Sequence, residues 1–184
     1  MKNQTGVTLT EVMVVMAIIA ISAAFAVPNT RDFFLNNRLT ARTNKLVATL
    51  NFTRAEAITR NRNVNITAIT GTKWEKGWKI WEDLNGDKQI GDTEVIRDIT
   101  LTDHKLTITP SDNLATVSLA EVDNSLKPIT LSYRPDGTAA LNLAMNTNVS
   151  FYICDDHRTN ELGRQVTILR TGRVFLENNK FQCD

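Results

Sequence analysis

Glu11 stands at the start of an apolar run from Val12 to Val27, where a carboxylate needs a counter-ion. A charged group at the edge of a segment that enters lipid costs a few kcal/mol unless a cation neutralises it. Gly6, the small residue that would suit a processing peptidase, precedes the run, whereas a secretory signal peptide has its cleavage site after the run. Cleavage after Gly6 would create an amine at Val7. We predict that Glu11 pairs with such an amine, supplied within a helical assembly by a neighbouring subunit.

A second group of oxygen-bearing side chains has the spacing of a calcium-binding loop. They fall on the first, third, fifth and twelfth places of that template: Asp83, Asn85, Asp87 and Glu94. Lys88 occupies the sixth place, where the template needs glycine, and the flanking segments alternate like strands. The alternative is a hairpin in which Asn85-Gly86-Asp87 turns the chain. We expect no metal or other cofactor, and this loop is the calcium candidate.

Composition and charge argue against several classes of function. The 184 residues include 21 basic and 20 acidic side chains, so no overall field favours nucleic acid or anionic lipid. Neither His104 nor His157 stands near a nucleophile with a supporting acid, and no glycine-rich phosphate loop occurs. We predict that the chain is not an enzyme.

One long helix is predicted to position the N-terminal residues. Residues 7–30 are mostly apolar and predict a helix for a membrane or a filament core, where alanines allow close packing. Residues 31–62 continue as an amphipathic helix. Its apolar face, with Val47 and Ile58 beside it, comprises Leu35, Leu39, Leu46, Leu50 and Ala57. Its basic face, predicted to be solvated or to contact a subunit, comprises Arg31, Arg38, Arg42, Lys45, Arg54, Arg60 and Arg62.

Residues 63–184 are predicted to be rich in strands, with a loop at 112–128. Eight short segments alternate in polarity: Val64–Ile69, Gly77–Trp81, Glu94–Ile99, Leu106–Thr109, Ile129–Tyr133, Val149–Cys154, Gln165–Leu169 and Val174–Leu176. Trp74, Trp78 and Trp81 are expected to pack in the core and on a sheet surface. We therefore predict an α+β fold, in which a long N-terminal helix packs on one or two antiparallel β-sheets.

The N-terminal residues also match a known processing signal. The motif is Gly6-Val7-Thr8-Leu9-Thr10-Glu11, and Pro28 follows near the end of the apolar run. It resembles the class III signal of type IV pilins and type II secretion pseudopilins. The resemblance implies that residues 1–6 are a leader and that a prepilin peptidase cuts after Gly6 and methylates Val7. It also implies that Glu11 is the assembly residue and that Pro28 kinks the helix.

Four later motifs extend the resemblance over nearly the whole chain. They are Arg54-Ala55-Glu56-Ala57-Ile58, the tryptophan-rich segment 73–87, Tyr133-Arg134-Pro135-Asp136-Gly137 and Thr171-Gly172-Arg173-Val174. Together they look like the FimU/FimT and GspH group of minor pilins. The resemblance implies the pilin fold, with residues 31–184 as its globular domain.

Two cysteines, Cys154 and Cys183, lie near the C-terminal end. A chain exported as the resemblance implies enters an oxidising compartment, so we expect the two to pair. Pairing would close a loop of about 30 residues and contribute about 3–4 kcal/mol in the chain-entropy model. Zinc is the alternative, but the cysteines and the two histidines lack ligand-like spacing.

The resemblance implies a minor type IV pilin that primes or caps pilus assembly, through packing of filament-core helices and charge pairing of Glu11. Its partners would be other minor pilins, the major pilin, the prepilin peptidase and the inner-membrane assembly platform. The membrane would hold it before assembly, as a single-pass inner-membrane protein with a periplasmic globular domain. It would then join the pilus, at the tip or as a minor component.

Two alternatives share this architecture. One is a GspH-type pseudopilin of a type II secretion system. The other is a FimT-like DNA-binding minor pilin for DNA uptake, whose relatives carry Gly-Arg-x-Arg near the C-terminus. Here Gly172-Arg173-Val174-Phe175 lacks the second arginine, and acidic residues balance basic ones from Cys154 to Asp184. Since DNA affinity depends on a concentrated basic patch, we do not expect DNA as a partner.

Overall fold

The computed structural model describes residues 6–71, 73–87, 89–101, 106–110, 130–140, 148–155, 163–177 and 182–183, apart from the side chains of 24–32. The chain divides into two compact units, Met1–Arg38 and Leu39–Asp184. One helix, α1 (Leu9–Arg60), contributes residues to both. The loop predicted at 112–128 lies outside the described residues.

In the first unit, α1 begins at a polar cap. The Thr8 hydroxyl accepts a hydrogen bond from the Glu11 backbone N–H at 3.3 Å, as the N-cap residue of a capping box does. The large apolar side chains that follow are exposed, from Val12 at 46% to Ile21 at 62%. Among the described residues, no helix combines the length and hydropathy of a membrane span. The membrane-spanning role expected for residues 7–30 therefore stays a prediction.

In the second unit, α1 buries the aliphatic face that the spacing predicts. Leu39, Leu46, Leu50 and Ala57 are at most 2% exposed. Ile58, which was expected beside this face, has half of its side chain exposed. The helix ends in a Schellman motif, in which Asn61 has φ of 53° and Arg62 N–H donates to the carbonyl of Ala57 at 3.2 Å.

Among the described residues, two four-stranded antiparallel sheets follow the helix, where the strand pattern predicts one or two. The strands are β1 (Val64–Thr70), β2 (Lys73–Glu82), β3 (Val95–Thr100), β4 (Leu106–Pro110), β5 (Thr130–Tyr133), β6 (Val149–Asp155), β7 (Arg164–Ile168) and β8 (Val174–Glu177). The first sheet has the order β3-β2-β1-β5 and the second the order β4-β6-β7-β8. One apolar core joins α1 to both sheets, which confirms the α+β fold with a helix packed on antiparallel sheets.

The three tryptophans occupy both faces of the first sheet. Trp74 and Trp78 lie in the core, where the Trp74 ring meets Phe151 of the second sheet edge-on at 4.8 Å. Trp81 is also buried, but it lies outside this core and donates its indole N–H to the Thr67 hydroxyl at 2.8 Å. The expectation of core and sheet-surface packing is confirmed.

Tyr133 on β5 is fully buried, and its hydroxyl has no hydrogen-bond partner among the residues that the structure describes. Burial raises the pKa of Tyr133 above its ordinary value, and the charge of Arg54 opposes this shift. A phenolic group with a raised folded-state pKa contributes stability that is present below the unfolded pKa, near 10, and lost at higher pH.

Replacing Tyr133 by phenylalanine should leave the free energy of unfolding unchanged or raise it by up to about 1 kcal/mol, because a desolvated hydroxyl is removed. The variant should also lose part of the destabilisation above about pH 10. Thermal melts at neutral and alkaline pH test this, with Tyr152→Phe at a half-exposed position as the control. A loss above 1 kcal/mol at neutral pH would show that the hydroxyl has a partner.

Candidate functional site

The predicted processing site is open in the first unit. Gly6 has no heavy atom within 4 Å of where a side chain would begin, and Val7 is 70% exposed. Both residues precede α1, so the peptide bond between them lies in non-helical backbone that a peptidase can bind. Glu11 is exposed within the first helical turn. Gly6, Val7 and Glu11 are thus displayed together, whereas cleavage, methylation and pairing stay predictions.

Pro28 lies inside α1, which runs without a break from Leu9 to Arg60. Proline removes one backbone donor from a helix and crowds the carbonyl four residues earlier. The side chains of 24–32 lie outside the described part of the structure. The kink at Pro28 therefore also stays a prediction.

Arg54 belongs to the fold of the second unit, which corrects the expectation of a solvated or intersubunit side chain at this position. Its Nε donates to the carbonyl of Gly137 at 2.8 Å, and its Nη2 donates to the carbonyl of Thr171 at 3.2 Å. These acceptors lie in two turns, one after β5 and one between β7 and β8. One guanidinium on α1 therefore ties together a turn from each sheet.

The two turns touch each other at glycines. Gly137 and Gly172 have φ of 77° and 78°, and a side chain on Gly172 would overlap the Gly137 carbonyl oxygen. Ala139 N–H also donates to the carbonyl of Arg170 at 3.1 Å. Three motifs quoted separately in the sequence, at 54–58, 133–137 and 171–174, thus meet in one place. Sequence reasoning named the motifs but missed their contact.

The calcium candidate connects β2 to β3, which pair as an antiparallel hairpin. Oxygens of Asp83, Asp87 and Glu94 lie within 4.8 Å of one another. These oxygens accept hydrogen bonds from backbone N–H groups of the same loop: Gly86 to Asp83 at 2.7 Å, Gln89 to Asp87 at 2.7 Å, and Leu84 and Gly91 to Glu94 at 2.9 Å each.

Asn85, the remaining residue of the calcium template, also forms hydrogen bonds inside the loop. Asn85 donates its side-chain N–H to Asp87 at 2.9 Å and accepts the backbone N–H of Asp87 at 2.9 Å. The hairpin alternative is confirmed by the pairing of β2 with β3. Each carboxylate also accepts backbone hydrogen bonds within the loop, and the expectation of no metal stays a prediction.

We expect calcium to leave the stability of the protein unchanged. Thermal melts in about 1 mM calcium, a concentration that saturates weak extracellular sites, and in excess chelator should agree within 1 °C. The Asp87→Asn variant, which keeps the shape of the side chain, is the control. A calcium-dependent rise of several degrees that this variant abolishes would identify a cation site.

An ion-pair network closes the C-terminal end of α1. Arg60 donates a hydrogen bond to Glu56 at 2.7 Å. This bond is the largest of the interactions that raise the pKa of Arg60. Arg60 and Arg62 each approach the buried carboxylate of Glu82 to 3.4 Å. A cleft of about 290 Å³ adjoins the network and is lined by Arg60, Glu82 and Glu94, among others. The buried charge of Glu82 is thus compensated within the fold.

Cys154 on β6 forms a disulfide with Cys183, across a sequence separation of 29 residues. The expected pairing is confirmed. The bond ties the C-terminal end of the chain to the second sheet.

Cys154→Ser should lower the free energy of unfolding by about 3–4 kcal/mol, because the unfolded chain regains the freedom that the loop removes. Thermal melts of wild-type protein with and without reductant provide the measurement, with Cys183→Ser as the matched variant. Equal melting temperatures for the oxidised and reduced protein would show that the disulfide does not stabilise the fold.

Two family models match the sequence. The model described as type II transport protein GspH matches residues 42–172. The prokaryotic N-terminal methylation motif matches residues 1–27. No curated protein matches the sequence.

Solved structures are similar in fold. The type IV minor pilin FimU of Pseudomonas aeruginosa superposes with a TM-score of 0.59 at 24% identity, covering 82% of this chain and 96% of FimU. A second crystal form of FimU gives 0.55 at 23% identity, with 78% and 96% covered. The minor pseudopilin EpsH from the type 2 secretion system of Vibrio cholerae gives 0.46 at 15% identity, with 75% and 94% covered.

Proposed function

The chain belongs to the GspH family of type II transport proteins, and from this membership we propose that it is a minor pilin that primes or caps a type IV pilus. The membership supports a structural subunit that assembles with other pilins and with an export or pilus machinery. The finer role, in priming or capping, is our proposal.

One observation carries the proposal: the methylation motif coincides with a helix whose large apolar side chains, where the structure describes them, are exposed. The motif spans residues 1–27, and large apolar side chains from Leu9 to Ile21 are between 46% and 77% exposed. Such a surface needs lipid or other helices around it. A processing signal on this helix supports a segment that is held first by a membrane and then by a filament.

The proposed mechanism begins at Gly6. A prepilin peptidase removes residues 1–6 and methylates the new amine of Val7, which keeps its positive charge. In the membrane, the carboxylate of Glu11 is costly unless it is neutralised. In the filament, the amine of a neighbouring subunit neutralises it, and the apolar side chains exchange lipid for helix packing. Charge neutralisation thereby selects the axial register in which the subunits join.

We propose partners that follow from this mechanism. The subunit contacts other minor pilins and the major pilin through α1 and through its globular domain. It is anchored in the inner membrane with its globular domain in the periplasm, before the assembly platform transfers it to the pilus. No step requires catalysis by the chain itself, so we propose a structural role.

A pseudopilin of a type II secretion system is the second candidate. The description of the matching family as a type II transport protein favours it. Both candidates use the same processing and packing, so they differ in the machine rather than in the chemistry.

Surface pili in a clean deletion strain test the proposal, with pilus retraction also disabled so that unstable filaments are counted. We expect a large drop in pili, restored by a plasmid copy of the gene, with extracellular enzyme secretion unchanged. Normal pili with lost secretion would replace the proposal by the pseudopilin role. Normal pili with a defect in DNA uptake alone would indicate a DNA receptor.

A further inference from the structure

Four arginines from three distant segments lie in the two turns or contact them, and we name the group the arginine patch: Arg54, Arg134, Arg170 and Arg173. Backbone hydrogen bonds fix their relative positions. Gly137 N–H donates to the carbonyl of Arg134 at 2.9 Å, and Leu169 N–H donates to that of Arg173 at 2.9 Å. Arg54 bridges the two turns directly. The fold therefore brings together four basic residues that lie in separate segments of the sequence.

Among the described residues of the two turns, 134–138 and 169–173, Asp136 is the one acid, and it is held locally. Asp136 accepts hydrogen bonds from the hydroxyl and the N–H of Thr138, at 2.6 and 2.8 Å, and these bonds lower the pKa of Asp136. Exposed apolar side chains accompany the arginines. Ile58 is 50% exposed, and Phe175 is 36% exposed with the Arg173 guanidinium 5.6 Å above its ring. Aromatic and aliphatic side chains together with arginine are typical of protein–protein interfaces.

The loop between β2 and β3, which we name the acidic loop, carries exposed acidic and exposed apolar side chains. Asp87 and Asp92 are exposed, and so are the apolar side chains of Leu84, at 53%, and Ile90, at 38%. Asp83 at the start of this loop lines an open cleft together with Pro135, which follows Arg134 in the turn after β5. The start of the acidic loop therefore lies beside the turn of the second unit that carries Arg134.

We propose that the arginine patch docks the acidic loop of a second copy of the chain. Because the acidic loop begins beside the turn that carries Arg134, one two-fold axis pairs patch with loop twice, which is an isologous contact. The proposal rests on the proposed function in one respect, since subunits anchored through the same N-terminal helix share one orientation. In this contact Asp92 of the second copy faces the exposed Arg173, while the exposed apolar side chains pack beside them.

The charge distribution favours a protein partner over nucleic acid. A net charge of +1 gives the chain no long-range attraction for a polyanion. Asp136, in the same turn as Arg134, and Asp83, near Pro135, would repel a continuous phosphate backbone. A short segment that carries separate carboxylates avoids both acids.

Self-association of the full chain in detergent micelles, measured by sedimentation velocity in low salt and in about 1 M salt, tests the proposal. We expect Arg173→Glu and Asp92→Lys each to weaken self-association at least tenfold in low salt, because each places like charges opposite one another. An equal mixture of the two variants should restore association. Lys73→Glu, an exposed charge reversal outside the patch, should behave as wild type.

The mixture of the two variants distinguishes a lost contact from misfolding, because a misfolded variant would not regain association when it is mixed with the other. The proposal is overturned if both single variants associate as wild type, or if their mixture associates no better than each variant alone. Arg173-dependent retardation of a DNA duplex by a chain that stays monomeric would also overturn it, in favour of nucleic acid. Failure of the proposed function is distinguishable, because it would appear as normal pili in the deletion strain while association in micelles is unaffected.

Discussion

Replacing Glu11 by alanine is expected to abolish surface filaments while leaving leader removal intact. The bond between Gly6 and Val7 lies outside α1 and is exposed, so the peptidase can reach it in the variant. Assembly fails for a different reason. Without the Glu11 carboxylate, the amine of a neighbouring subunit enters the apolar filament core without a counter-ion. Removing one partner of a buried ion pair costs about 3–5 kcal/mol.

Processing and assembly must be measured separately to test this expectation. Gel mobility reports removal of residues 1–6, membrane fractionation reports insertion, and filament counts in a strain without retraction report assembly. Glu11→Gln is the matched variant, because it keeps the shape of the side chain and removes its charge. Full piliation by both Glu11→Ala and Glu11→Gln would show that charge pairing does not control assembly.

The secondary structure was predictable because its signals are local. The spacing of Leu39, Leu46, Leu50 and Ala57 defines one helical face, and all four are buried. Alternation predicts a strand at Val64–Ile69, and the structure has Val64–Thr70. Each segment has one face against the core, so its own residues report its conformation. The sequence left open whether there are one or two sheets, because pairing depends on residues that are distant along the chain.

Arg54 shows why the rest could not be predicted. In the sequence it belongs to a basic helix face, which usually faces solvent. Its acceptors lie 83 and 117 residues later in the chain. They are backbone carbonyls, which every residue has, so the residue types do not reveal them. Ile58 lies beside the buried face, where the spacing alone does not say how much of the side chain is covered, and half of it is exposed. Helical spacing assigns a face to a residue, but contacts between distant segments determine what covers that face.

The candidate assembly site was predictable in part for a related reason. Gly6, Val7 and Glu11 form a short contiguous motif, so the sequence identifies them, and the structure displays them on an exposed segment. Their proposed chemistry takes place between subunits, which the structure of one chain does not contain. The β2–β3 loop differs, because the described backbone donors to its carboxylates lie within the loop. There the structure distinguishes the hairpin from a helix–loop–helix calcium site.

Gly172→Ala is expected to lower the free energy of unfolding by roughly 3–4 kcal/mol. Two penalties combine at this position. The φ of 78° lies in the left-handed region, where a side chain costs about 1–2 kcal/mol. The added methyl group would also overlap the carbonyl oxygen of Gly137 and come within 3.0 Å of Arg54 Nε. Separating the turns to make room weakens the contacts of both with Arg54, and overpacking of this kind typically costs 1–3 kcal/mol.

Gly86 provides a matched control for the backbone penalty. It has nearly the same φ, 80°, but no heavy atom lies within 4 Å of its would-be side chain. Gly86→Ala should therefore cost only about 1–2 kcal/mol. Urea denaturation followed by tryptophan fluorescence measures both, since Trp74, Trp78 and Trp81 are buried in the second unit. Equal losses for the two variants would show that the turns move apart freely, and that the Arg54 bridge contributes little to holding the two sheets on the helix.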